Sequence, residues 1–477
     1  MKRRSFLATT GISIAIATLP TTTIEEDVTE IGDWHDLRSI GSDEDDDLTG
    51  NYILANDLTP NTDGYDEHAS EDANDGQGWY PIGYEDWDGG PAPYHQFAGH
   101  FDGNGHTIKG LNITPDDDTF GEGGLIYMPV DANIEDLRFE DVKIETHSYT
   151  GLVGMQARDG SMIKNIEVDG VDVESEGDFG CVVGDLQDDS VVEGCSVENG
   201  DFLFHSGTNY GVISFEMSDS SKILDSYVEN CTITCRGNIF YIGVVTNSVG
   251  GEELKRCHCE NIEIIGELDE YDNAPGYVGL FASVVSSTAG TNIEECYVKG
   301  SIEGDFNYSI GGFTVVGDYE NVENCFVDAT INITAFSDIS VGGFFMTFNT
   351  PSVVEKINDS YANVDMDIEW DDGEGDVFEF SPTDIYFEDC YYNSDNNEGQ
   401  GFENHEGNDG ITALTEDEMT GEDAEDNIGF DFNDVWQTTD NYPMLWWYTP
   451  PNTDILYNEE TLKTNILEGT EDGYETV

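Results

Sequence analysis

A unit of about thirty residues recurs through the middle of the chain, and it limits the possible folds more than any other feature. Its first anchor is a glycine followed by apolar residues. It occurs at Gly124-Leu125-Ile126, Gly151-Leu152-Val153, Gly180-Cys181-Val182, Gly211-Val212-Ile213, Gly243-Val244-Val245, Gly279-Leu280-Phe281, Gly312-Phe313 and Gly343-Phe344. The second anchor alternates like a strand. It reads IEDLRF from Ile134, IKNIEV from Ile163, VEGCSV from Val192, ILDSYV from Ile223 and LKRCHC from Leu254. It continues as IEECYV from Ile293, VENCFV from Val322, INDSYA from Ile357 and FEDCYY from Phe387. A third short strand follows, as in Val142-Lys143-Ile144 and Ile331-Asn332-Ile333.

Period-two alternation puts every second residue on one face. Three short strands per unit, parted by Gly, Asn, Asp and Ser, cannot bury that face alone, but stacked copies can. The repeat therefore predicts an all-β chain, a right-handed parallel β-helix of about nine coils with a core roughly 40 Å long. Helical solenoids are disfavoured, because the repeats lack a sustained 3.6-residue period. Cys195, Cys257, Cys296, Cys325 and Cys390 share one place in the second anchor, with Ser226 and Ser360 filling it in other coils. They read as a stacked interior column of small buried residues. The odd total of nine Cys and the Ser replacements argue against a disulfide framework.

The flanks read as caps, which a solenoid needs over its open ends. At the front, Asp33 to Ile40 suggests a short helix and Asn51 to Leu58 a strand. Thr59 to Gly90 reads as a loop, and Phe97 to Leu111 as a hairpin around Asp102-Gly103-Asn104-Gly105. At the back, Thr415 to Met419 suggests one helical turn. The aromatic segments Phe430–Trp436 and Tyr442–Trp447 are expected to close over the last coil. The expected organisation is a signal segment over 1–20, then an N-terminal cap with the first strands over 21–118. The repeats span 119–395, a C-terminal cap spans 396–448, and a polar tail spans 449–477.

Charge narrows the function. The chain holds 101 acids against 16 bases, a net charge of −85. No basic footprint exists for nucleic acid or an anionic membrane. Such charge can signal disorder, but 38% hydrophobic residues and 24 Phe supply a core. Self-repulsion on this scale is screened in molar salt, where the Debye length falls to about 3 Å. A saline environment is the economical reading. The first residues differ: Arg3, Arg4, Phe6 and Leu7 resemble a twin-arginine export signal, with Ala15-Ile16-Ala17 as a cleavage site. No transmembrane segment follows, so an extracellular or cell-surface location by that route is expected.

These features together resemble the GLUG-repeat family of secreted β-helix proteins. The resemblance rests on Asn51 to Leu58, Trp79-Tyr80-Pro81-Ile82-Gly83, Phe97 to Leu111, and Gly151-Leu152-Val153-Gly154. It also draws on Asp434-Val435-Trp436 and Tyr442-Pro443-Met444-Leu445, and so covers about residues 33 to 447. Cys181, Val212 and Val244 depart from the Gly-Leu pattern. The resemblance implies a surface-exposed, often adhesin-like protein and supplies no catalytic residues.

The function expected is adhesion to, or binding of, polysaccharide or a cell-surface protein. The alternative is a polysaccharide lyase or glycoside hydrolase on the same fold. No catalytic residue can be named, since 101 acids make any carboxylate pair uninformative. Asn61-Thr62-Asp63-Gly64 matches a polygalacturonase string without its companions and reads as a polar turn. Arg138 and Arg256 read as solvated face residues. His95, His100 and His106 lack ligand spacing. The acid runs Asp43–Asp47, Asp116–Asp118 and Asp365–Asp376 lack the EF-hand pattern. No cofactor is expected beyond weak, adventitious binding of cations such as Ca²⁺. Asn-x-Ser/Thr acceptors for glycosylation stand at Asn112, Asn230, Asn307, Asn332 and Asn358.

Overall fold

The structure is a computed structural model of the chain. It describes residues 28–41, 48–83, 96–115, 123–237, 239–248, 253–268, 275–285, 291–317, 319–336, 339–346, 356–371, 375–381, 386–397 and 410–447. The parallel β-helix is present: the described residues are 56% strand and 7% helix, wound into about 8 turns. Each repeat is one turn. The second anchor and the strand after it lie in a 21-stranded sheet, while the glycine anchor feeds an eight-stranded and a seven-stranded sheet.

Pairing between coils is parallel and in register. One column runs Ile134, Ile163, Val192, Ile223, Leu254, Ile293, Val322, Ile357, Phe387. Every member is at most 4% exposed, so this column is core. The sheet also continues toward the N-terminus, through Asn133–Glu135 to His100–Asp102, Asn51–Ile53 and Val28–Glu30.

The second anchor is not one uninterrupted strand. Asp136, Asn165, Gly194, Asp225, Arg256, Glu295, Asn324, Asp359 and Asp389 all hold φ between +48° and +66°. Coil pairing skips this position, as between Asp136 and Asn165. The bend lets Ile134 and Leu137, three residues apart, both reach the core. Asn, Asp and Gly dominate because they enter the left-handed region at least cost. The turn at Asp102–Gly105 is the same bend, with Asn104 at φ +53°. It is therefore not a hairpin: His100–Asp102 and Thr107–Lys109 both pair in parallel with Asn133–Thr146 rather than with each other.

The glycine anchor is a matter of space. A Cβ on Gly243 would lie 2.2 Å from the Thr246 carbonyl oxygen and 2.5 Å from the Ser283 nitrogen, both backbone atoms. The cysteine column faces inward as expected. All nine Cys are free and buried, and the Cys257 and Cys390 thiols donate to the Ile223 and Ile357 carbonyls at 3.4 Å.

At the N-terminal end, the helix Trp34–Ser39 is capped by the Asp33 side chain, which accepts from the Asp36 N–H. Trp34 and Trp79 are fully buried there with ring centroids 6.1 Å apart. The leading strand is shorter than expected, Asn51–Leu54, and the loop after it contains a helical turn at Tyr65–His68. The C-terminal cap holds the expected turn, Glu416–Met419, and a second one, Asp423–Asn427. Its aromatic residues do not simply close the last coil. They lie along the outside of the large sheet, for a reason that becomes plain at the site.

Candidate functional site

The first outward residue after each bend forms a column on the large sheet, and in the C-terminal half that column is aromatic. Tyr227, His258, Tyr297, Phe326 and Tyr361 stack one per coil, with centroids 4.7–5.0 Å apart and ring planes within 12° of parallel. An apolar column cannot be left in water, and the cap covers it. Phe430, Trp436, Met444 and Leu445 form one buried cluster with Tyr297, Phe326 and Tyr361. Trp447 reaches His258, at 5.8 Å. Two hydrogen bonds fix the cap: Trp436 Nε1 donates to Asn324 Oδ1 at 3.0 Å, and the Tyr361 hydroxyl donates to the Pro443 carbonyl at 2.9 Å.

Between this cap and the sheet lies a cleft of about 340 Å³, lined by Glu260, Lys299, Asp328, Tyr361, Thr439, Asn441, Tyr442 and Met444. Glu260, Lys299 and Asp328 come from consecutive coils. Each is braced from the side. Glu260 accepts from the Tyr297 hydroxyl at 3.2 Å and faces Lys299 Nζ at 3.7 Å. Asp328 accepts from Asn363 Nδ2 at 2.7 Å, and burial raises its carboxyl above the usual range. The Tyr442 hydroxyl accepts from Asn393 Nδ2 at 2.8 Å. The cleft thus offers two carboxyl groups, an ammonium, an amide and the Tyr442 ring, which the fully buried Tyr361 supports from below.

A second aromatic feature sits on the eight-stranded sheet. Tyr241 and Tyr277 are register partners whose rings stack at 5.3 Å, and Tyr308 lies 4.9 Å from Tyr277. The neighbours Ile242 and Val278 are core, so Tyr241 and Tyr277 face outward, and Tyr308 joins them from the bend that precedes Ile310. Tyr308 is 38% exposed.

The most perturbed carboxyl lies on the seven-stranded sheet. Asp185 is in register with Gln156 and Glu216 on the coils to either side. One oxygen accepts from the Gln156 and Gln187 amides, while the other is buried without a partner. Burial raises Asp185 to about 7; the Glu216 charge adds to this and Arg158 opposes it. Glu216 is itself raised by burial and by the Asp178 charge.

The scarce cations are used as rungs between coils. Arg138 meets Glu140, Glu167 and Asp169 at 2.9–3.3 Å. Lys164 meets Glu193, Lys255 meets Glu294, Lys356 meets Glu388 and Arg236 meets Glu267, at 2.6–2.8 Å. Arg138 and Arg256 are therefore paired face residues, and Arg256 additionally occupies a left-handed bend.

The histidines are not a cluster. His100 bonds Glu135 at 2.8 Å and His106 bonds Asp57 at 3.0 Å, while His95 lies outside the described residues. Another grouping, His35, Glu67 and His68, has no sequence signature and is brought together across 33 residues. His35 Nδ1 and His68 Nε2 already share a 2.9 Å hydrogen bond in this exposed group, so it carries no metal argument. Asn61–Gly64 is the expected polar turn, with Gly64 at φ +85°. Asp365 and Asp367 are exposed strand residues, and the runs 43–47 and 116–118 lie outside the described residues. So do Arg3, Arg4, Phe6 and Leu7.

The five acceptor asparagines separate. Asn230 and Asn332 are exposed, and Asn307 is half-buried. Asn112 Nδ2 is hydrogen-bonded to the Ala69 and Gly110 carbonyls. Asn358 is 4% exposed and its Nδ2 donates to Asp359.

Fold and surface define a parallel β-solenoid with a clasped outer face. No family model matches the chain, and neither does any curated protein or solved structure. No helix among the described residues is long and apolar enough to cross a membrane.

Proposed function

We propose that this is an exported, surface-associated β-helix of GLUG-repeat type that binds polysaccharide or cell-surface components in a high-salt environment. The observation that carries the reading is the outward tyrosine shelf, Tyr241, Tyr277 and Tyr308, spaced one ring per coil. Phenol faces one coil apart, two stacked within 15° and the third tilted by 43°, match the apolar faces of successive sugar rings, and a solenoid face suits an extended ligand. The acidic coat and the internally paired cations fit a partner that is neither nucleic acid nor an anionic membrane. Export by the twin-arginine route belongs to the same proposal and rests on Arg3 and Arg4.

A second reading, a polysaccharide lyase or glycoside hydrolase, draws on Asp185 and Glu216. Two carboxyls in register on adjacent coils, one of them raised to about 7, are the raw material of acid–base chemistry. Binding is preferred because the unpaired Asp185 oxygen is buried away from any substrate.

The test is a glycan and cell-surface binding screen on the folded protein in molar KCl, repeated with Tyr241→Ala and Tyr277→Ala. Binding that weakens at least tenfold in both variants is expected. A screen with no ligand sinks the reading, and turnover of a polymer moves it to the enzyme. Melting temperature should rise between dilute buffer and molar KCl, and a flat response removes the saline part.

A further inference from the structure

We propose that the cleft beneath the C-terminal cap binds one non-acidic hexose unit, with Glu260, Asp328 and Asn441 on its hydroxyls and Tyr442 against its ring. The inference takes its ligand class from the glycan-binding reading but names a different place on the molecule. Four observations support it.

The first is size and position. About 340 Å³ at the junction of two packed units lies at the small end of ligand sites, which fits a single sugar rather than a chain. The second is preorganisation. The Tyr361 and Tyr442 rings lie 5.9 Å apart at 19°, and each phenol oxygen is already engaged, by Pro443 and by Asn393. The Tyr442 ring, backed by the buried Tyr361, is thus a fixed apolar surface, which lowers the ordering cost of binding.

The third is chemistry. Planar carboxylates accept paired hydroxyl donors, and amides both donate and accept, which is what a polyhydroxyl ring requires. The fourth is charge. Glu260 and Asp328 outnumber the single Lys299 of the lining, and Lys299 already faces Glu260 at 3.7 Å. A uronic or sulfated sugar would meet uncompensated like charge, so neutral hexoses and hexosamines are admitted and acidic sugars refused.

The experiment is calorimetric titration of the full chain in molar KCl with methyl glycosides of neutral hexoses, with hexosamines and with hexuronates. At least one neutral hexose or hexosamine should bind, and the matching hexuronate at least tenfold more weakly. Asp328→Asn, which keeps the size and the bond from Asn363, should weaken binding about tenfold, and Tyr442→Ala more. Asp172→Asn removes one exposed acid on another part of the sheet and should leave binding unchanged. A melting curve for each variant shows that the cap is folded.

Failure of every hexose to bind overturns the inference. So does equal binding of the hexuronate, or a well-folded Asp328→Asn variant with wild-type affinity. The broader reading fails separately: polymers that bind while hexoses do not would leave the tyrosine shelf standing and remove only the cleft.

Discussion

Arg256 grips Asp225 of the preceding coil with two hydrogen bonds, Nε donating to Oδ1 at 2.5 Å and Nη2 to Oδ2 at 2.6 Å. It does so from a backbone at φ +50°, where most coils place Asn, Asp or Gly. A bidentate pair is among the stronger exposed ionic contacts. Here it offsets a conformation that disfavours a long side chain. Asn165 plays the same part on Asp136, with Nδ2 donating to Oδ1 at 2.7 Å. The left-handed column is thus both a bend and a ladder that ties coils together on the outside.

Glu295 occupies the same bend at φ +54° with only a long contact to Lys255, at 3.6 Å. Its left-handed backbone has no comparable compensation. Glu295→Asn should therefore stabilise the protein by up to about 1 kcal/mol, since Asn enters the left-handed region at lower cost than Glu. Arg256→Asn should gain less, since it also gives up the fork on Asp225. Denaturation midpoints for the two variants decide this. A larger gain at 256 than at 295 would contradict the account.

Asp185 makes stability depend on pH. Its carboxyl titrates at about 7 in the fold, against about 3.9 in an unfolded chain. Between these values the folded state binds more protons, so stability falls as pH rises from about 4 to about 7. Asp185→Asn removes the titrating group. Its melting temperature relative to wild type should be higher at pH 8 than at pH 4.5. A difference that stays constant across this window would refute the assignment.

The coils were legible because period-two alternation and a fixed glycine both recur every turn. Ile134 through Phe387 share one place in that pattern, and they form one core column. The bend was half legible. Asn165 or Asp359 announces a left-handed residue, but Arg256 and Glu295 do not, because residue type carries no such signal there. The cap reaches the last coil at Tyr391, as its aromatic content suggests, but it also runs back along the outer face over Tyr361, Phe326 and Tyr297. Its aromatic content was evident, but the column it covers is built from single residues, each a full coil apart in the chain. The cleft was invisible for the same reason: Glu260, Asp328 and Tyr442 become neighbours only when the coils stack and the cap folds back. The paired histidines at 35 and 68 required the same three-dimensional closure.

Glycine serves two separate needs, and two substitutions distinguish them. Gly243 needs room, since an added Cβ meets backbone of the same and the next coil. Gly160 has φ +81° and no atom within 4 Å of an added Cβ, so its need is conformational only. Gly160→Ala should cost about 1 kcal/mol. Gly243→Ala should cost at least about 3 kcal/mol or abolish folding, because coil spacing cannot widen at one point without breaking ladder bonds. Equal costs in thermal or urea unfolding would show that the anchor glycine is not set by stacking distance.

The cysteine column should be chemically silent while the fold is intact. Cys195, Cys257, Cys296, Cys325 and Cys390 are fully buried. Burial pushes the Cys195 thiol up to about 12, and raises those of Cys257, Cys296 and Cys390 as well. Thiolate is the reactive form, so almost none exists at neutral pH. A thiol reagent added to the protein in molar salt should label no member of this column. In guanidinium all nine cysteines of the chain should react. The rate of labelling under native conditions then reports the opening of coils. It should rise in Gly243→Ala and fall in Glu295→Asn, since both act on coil stacking. Rapid labelling of the column in the folded wild type would mean that the interior is not the sealed stack of small residues that its register describes.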